Sequence, residues 1–176
     1  MKRIYFILGI GLLTLIGCSN GPSLQKYFVS KQDNENFLSL DVPTSIVSLK
    51  EGASKENLET LKSIKKVNLL MFKLTQENRD VFEEEKSEVM AVLKNKNLIE
   101  LMRANHEGTQ LRVVYVGDED TVDEFIVFAA NDQEGFGLAR VLGDRMEPHK
   151  IMALLNDFDR MDKENPIFSQ IEGFMR

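Results

Sequence analysis

Four strand-like runs fill the second half of the chain, and the links between them are too short for any arrangement but an antiparallel one. The runs are Leu98–Met102, Leu111–Val116, Val122–Ala130 and Phe136–Leu142. They are joined by Asn105-His106-Glu107-Gly108, by Gly117-Asp118-Glu119-Asp120 and by Asn131-Asp132-Gln133-Glu134-Gly135. Parallel neighbours need a crossover of roughly a dozen residues or more, whereas polar, glycine-bearing turns return the chain directly beside itself. The second half is therefore predicted to be a meander.

The first half alternates helix and strand. Leu24–Glu35 predicts a helix with Leu24, Tyr27, Phe28 and Lys31 on one face, ended by the Asp33-Asn34-Glu35-Asn36 cluster. Phe37–Val42 alternates as a strand, with Leu38, Leu40 and Val42 inward. Pro43 stops it and can open a brief helix, Thr44–Leu49. Ser54 is the N-cap expected for a helix carrying Leu58, Leu61 and Ile64. Val67–Leu74 is apolar on both faces, as in a central strand covered on both sides. If helices cover only one side, a second copy or a protein partner must hide the other.

Thr75 or Asn78 begins the longest helix, which runs to about Leu93. Phe82, Val89 and Leu93 form its apolar face, and Glu83, Glu84 and Glu85 its wet side. A last helix starts near Pro148, with Ile151, Leu154, Leu155 and Phe158 spaced i, i+3, i+4, i+7. The tail from Asp159 to Arg176 keeps Ile167, Phe168, Ile171 and Phe174, which suit docking against the body. The order of elements belongs to the α+β class, with one mostly antiparallel sheet of about six strands packed with several helices.

The N-terminus carries an address. Lys2 and Arg3 precede thirteen uncharged residues, Ile4–Ile16. A bilayer-spanning helix needs about 20 apolar residues, so this run is shaped as a secretory signal instead. Leu15-Ile16-Gly17-Cys18 resembles the lipobox of bacterial lipoproteins. That resemblance implies diacylglyceryl (including palmitate) on Cys18 and cleavage just before it. Cys18 is the sole cysteine, so no intrachain disulfide competes for it. The expected division is 1–17 signal peptide, 18–23 tether and 24–176 a single domain. Ser19, not Asp, follows the cysteine, which by the same resemblance favours the outer membrane.

Removing residues 1–17 leaves 159 of the 176, enough to bury a core without staples. The formal charge of −6 becomes −8 once Lys2 and Arg3 are gone. So acidic a domain is a poor nucleic-acid binder.

The lipobox, the Phe37–Leu49 strand–Pro–helix, the Leu69–Leu74 strand and the meander ending in Gly135-Phe136-Gly137-Leu138-Ala139-Arg140 are similar to the Bacteroidetes lipoproteins grouped as domain of unknown function 4252. The resemblance covers most of the chain beyond the leader. It implies a small envelope lipoprotein with no assigned activity; some members are encoded near alternative sigma factors, an envelope-response setting. Only the acylated cysteine carries over, to Cys18.

Other candidates have plainer explanations. His106 falls in a hairpin turn and His149 in the first turn of the last helix. If they met in space they would still need a carboxylate to make three zinc ligands. The acidic cluster from Asp118 to Glu124 lacks the glycine and distal glutamate of an EF-hand loop and suits a solvated hairpin tip. Gly135-Phe136-Gly137 begins like a dinucleotide fingerprint but has Arg140 at the third glycine position and lies in a strand; its glycines suit a bulge or a close chain crossing. No Gly-x-Ser-x-Gly elbow, phosphate-binding loop or paired-histidine zinc helix is present.

Two readings follow. One is a non-catalytic envelope lipoprotein that binds a partner or self-associates, anchored through acyl chains on Cys18 and without cofactor or catalytic residue. The other is a periplasmic carboxylate-based enzyme or small-ligand carrier, which needs a pocket with convergent polar groups.

Overall fold

A computed structural model of the protein describes residues 23–46, 49, 53–118, 122–156 and 166–175. The helices are α1 (Leu24–Lys31), α2 (Lys55–Ser63), α3 (Arg79–Val92), α4 (Pro148–Asn156) and α5 (Pro166–Met175). The strands are β1 (Phe37–Pro43), β2 (Ile64–Lys73), β3 (Ile99–His106), β4 (Thr109–Gly117), β5 (Val122–Asn131) and β6 (Gly135–Met146). They form one six-stranded sheet in the order β1-β2-β6-β5-β4-β3, antiparallel throughout. The chain is α+β, and β3–β6 are the expected meander.

Turn chemistry explains the meander. Glu107 (φ 49°) and Gly108 (φ 81°) form a two-residue loop between paired His106 and Thr109. Two positive φ values in succession match the twist of the flanking strands. At the β5–β6 turn, Asn131 Oδ1 accepts from Gln133 N at 2.9 Å. Gly135 then adopts φ +127°, where a Cβ would lie 2.0 Å from the Phe72 carbonyl oxygen. This is the close crossing that its sequence context suggests.

Helix starts are locally encoded. Ser54 accepts from Asn57 N at 3.0 Å, capping α2. Asn78 precedes α3 but does not cap it; its Oδ1 accepts from Thr75 N at 2.8 Å, closing the entry loop instead. α1 stops at Lys31, short of the expected Glu35, and Asn34 turns the chain by accepting from Phe37 N at 2.9 Å. The helix after Pro43 is a single 3-10 turn, Thr44–Ile46, not the expected run to Leu49.

The first sheet face holds an aromatic core. Phe37, Phe72, Phe128 and Phe136 pack there beneath Tyr27 of α1 and Phe82, Val89 and Leu93 of α3. Phe72 stacks on Phe136 at 5.5 Å between centroids and meets Phe37 edge-on at 5.1 Å. On the second face, Val113, Tyr115, Phe125 and Val141 pack with Ile151 and Leu154 of α4 and with Leu61 of α2. Helices thus lie on both faces.

Several inward assignments need correction. Phe37 and Val42 are buried on opposite faces of β1, while Leu38 and Leu40 are only half-buried. Leu70 and Phe72 of β2 are fully buried, but Val67, Leu69 and Met71 on its other side are half-buried. Leu58 of α2 is 44% exposed, and Ile64 opens β2 instead of closing the helix. Glu85, expected on the wet side of α3, is buried. It lies three residues after Phe82 and four before Val89, which puts it on their side of the helix. Phe158, the side chains of Leu155 and Phe168, and residues 159–165 of the tail lie outside the described residues; residues 166–175 are helical.

Candidate functional site

The β3–β4 register sets two like charges face to face. Arg103 pairs directly with Arg112, an arrangement that repels when uncompensated. Glu100 lies between them: its Oε2 accepts from Arg103 Nη2 at 2.8 Å and from Arg112 Nε at 2.6 Å. Hydrogen bonds from Arg103 first, then Arg112, hold the Glu100 carboxyl below the usual range. A bulge between Glu100 and Met102 brings the carboxylate to this position.

Arg112 is the less ordinary of the pair. Its side chain is only 12% exposed, against 65% for Arg103. It also projects from the sheet face that carries Phe128, its cross-strand partner on β5. Nε is used by Glu100, but neither terminal nitrogen of Arg112 has a partner among the described residues. Beside it opens a cavity of about 360 Å³, lined by Arg103, Asn105, Gln110 and Arg112 and walled by Met90 of α3 and Phe128. A planar guanidinium of this kind is a fork suited to carboxylate or phosphate.

A second polar cluster is closed. Tyr27 donates its hydroxyl to Glu85 Oε2 at 2.9 Å, and Lys31 Nζ donates to Glu85 Oε1 at 2.5 Å. Glu88 Oε2 stands 3.6 Å from the same ammonium. Burial, reinforced by the hydrogen bond and charge of Glu85, drives the Tyr27 phenol far above its ordinary value. Desolvation works against the charge on Lys31, but the hydrogen bond and charge of Glu85, with Glu88 behind, outweigh it and raise the pKa. All these donors and acceptors face one another, so the cluster fastens α1 to α3.

The residues singled out in the sequence do not converge. His106 ends β3 at the turn end of the sheet, 86% exposed and 3.7 Å from Glu107. With Asn131 and Glu134 it borders an open depression of about 410 Å³. His149 begins α4, which follows the far end of β6; twelve strand residues put the two histidines roughly 35 Å apart along the sheet. They do not meet. Among the described residues no group of three or more His, Cys, Asp or Glu side chains is placed to hold a metal.

Within the acidic cluster, residues 119–121 lie outside the described residues, and Asp118 and Asp123 are exposed. Glu124 instead grips Arg140, with Oε1 to Nε at 2.6 Å and Oε2 to Nη2 at 2.9 Å. That hydrogen bonding outweighs desolvation and raises the Arg140 pKa. Gly135-Phe136-Gly137 is the start of β6, with Phe136 in the core. Cys18 and the leader lie outside the described residues. Among the described residues no helix is long and apolar enough to cross a membrane.

The Arg112 cavity escaped the sequence reading. Its arginines are spaced as any hairpin charges would be, and only the register makes them partners.

The matched region runs from α1 into α4. The chain belongs to the family described as a domain of unknown function (DUF4252), whose profile matches residues 27–154. No curated protein and no solved structure matches the chain.

Proposed function

We propose that this member of the family is a lipid-anchored protein of the bacterial cell envelope, facing the periplasm or the outside from the outer membrane, whose domain binds and does not catalyse. The address rests on Lys2-Arg3, the uncharged run and the Leu15-Ile16-Gly17-Cys18 box. Two acyl chains make such anchoring stable where one does not. The tether is short: six residues span Cys18 to Ser23 before α1 begins.

The Arg112 cavity carries the binding reading. The Arg112 side chain is 12% exposed, lines the cavity, and keeps two ends that have no protein partner among the described residues and are open to solvent, which leaves strong donors free for a ligand. The half-buried apolar residues Leu38, Leu69 and Met71 also suit a protein partner or second copy on the second face.

Replacing Cys18 with Ala tests the anchor. The variant is expected in the aqueous phase of a detergent partition, and the wild-type chain in the detergent phase with incorporated palmitate. A Cys18→Ala chain that is processed yet stays in the detergent phase would sink the reading.

A further inference from the structure

We propose that the cavity beside Arg112 binds a small organic anion with a short apolar tail, its carboxylate or phosphate head on the guanidinium and its tail against Met90 and the other apolar lining. The inference deepens the binding reading above and rests on it.

Stability alone does not explain this arrangement. An ion pair with Glu100 uses one of the five N–H donors that Arg112 carries. The two ends of the guanidinium lack protein partners and are reached by solvent, since no buried side-chain nitrogen or oxygen among the described residues is left without a hydrogen bond. Facing it with Arg103 adds repulsion, and Glu100 cancels only one of the two charges. What remains is a local excess of one positive charge in a chain whose formal charge is −6. An anion bound at Arg112 would neutralise that excess. Gln110 and Asn105 line the same cavity and carry amide donors for a second oxygen.

The remaining walls limit what the anion can be attached to. Phe128, 1% exposed, closes the cavity from the core side, and the apolar surface a ligand can reach comes from Met90, a flexible side chain in the last turns of α3, with Leu111 and Ala104. At about 360 Å³ the space sits at the low end of small-molecule sites. It suits a head group with a short chain and not a whole lipid.

Octanoate, octanol and acetate separate the contributions. Each is titrated into the full chain held in lipid nanodiscs, with empty nanodiscs as the blank. Octanoate is expected to bind, with octanol and acetate at least about tenfold weaker because each lacks one half of the recognition. Octyl phosphate in place of octanoate, and inorganic phosphate in place of acetate, ask whether the head is a carboxylate or a phosphate; saturable binding of either tailed anion supports the site. Arg112→Gln is expected to weaken that binding about ten- to hundredfold. Should Arg112→Gln fail to fold, the methionine methyl NMR spectrum of the wild-type chain decides instead: the Met90 signal is expected to shift on saturation with octanoate. Octanol binding as tightly as octanoate, acetate binding as tightly as octanoate, or no tailed anion binding at all would each overturn the assignment. A failure of every probe while membrane partition still depends on Cys18 overturns the ligand and leaves the anchored reading intact.

Discussion

Tyr27 donates its hydroxyl hydrogen to Glu85 across fifty-eight residues of sequence, at 2.9 Å, and with it the first helix is fastened to the longest one. Tyr27→Phe removes the donor and leaves a buried carboxylate short of a partner. Stability is expected to fall by about 1–3 kcal/mol. Because the chain has no tryptophan, urea unfolding followed by circular dichroism is the suitable measurement. The midpoint should drop with the slope unchanged.

The same cluster sets an alkaline limit. Tyr27 and Lys31 both have folded-state pKa values raised above their ordinary values of 10.0 and 10.5. Their contribution is complete below the unfolded pKa and is lost as pH rises, because the unfolded chain then releases protons that the folded chain retains. Wild-type stability is therefore expected to decline above about pH 10. In Tyr27→Phe the decline should be shallower. An equally steep decline in the variant would remove Tyr27 as a cause.

Glu100→Gln tests the charge balance of the β3–β4 hairpin. Arg103 and Arg112 would then face each other without a counter-charge, and the melting temperature is expected to fall. Added salt should recover part of the loss, since the pair lies near the surface. In the wild type the depressed Glu100 pKa gives a contribution present above the ordinary glutamate range and lost as pH falls through the folded value. Acid titration of unfolding in the two chains should converge at low pH.

Gly135 and Gly137 should answer alanine differently. At Gly135 a Cβ meets the Phe72 carbonyl oxygen at 2.0 Å and the backbone has φ +127°. Strain and clash together should cost about 2–5 kcal/mol. At Gly137 an added Cβ meets nothing within 4 Å, and the change should stay within about 0.5 kcal/mol. Paired thermal melts of the two variants check this.

Phe72→Ala removes a ring that touches Phe37, Phe82 and Phe136. The loss should be about 3–5 kcal/mol. Equilibrium unfolding will show it, provided the variant remains folded at 25 °C.

Local signals in the sequence specify most of the frame. Short polar links fixed the meander, two-faced apolarity marked β2, and the stripe of Ile151 and Leu154 marked α4. What stayed hidden depends on phase and register. Glu85 reads as one of three consecutive surface acids until the helical phase from Phe82 to Val89 is followed. Arg103 and Arg112 become partners only through the β3–β4 register, and a one-residue slip would send each to the other face. The bulge that delivers Glu100 to them has no sequence mark. Ile64 fits both the helix before it and the strand that it opens, and periodicity alone does not separate the two.

Intact-mass analysis of the native protein from its own membranes tests the anchored reading most directly. A chain that begins at Cys18 and carries diacylglyceryl on its sulfur is the expected result. An uncut chain with a free thiol at Cys18 would contradict it.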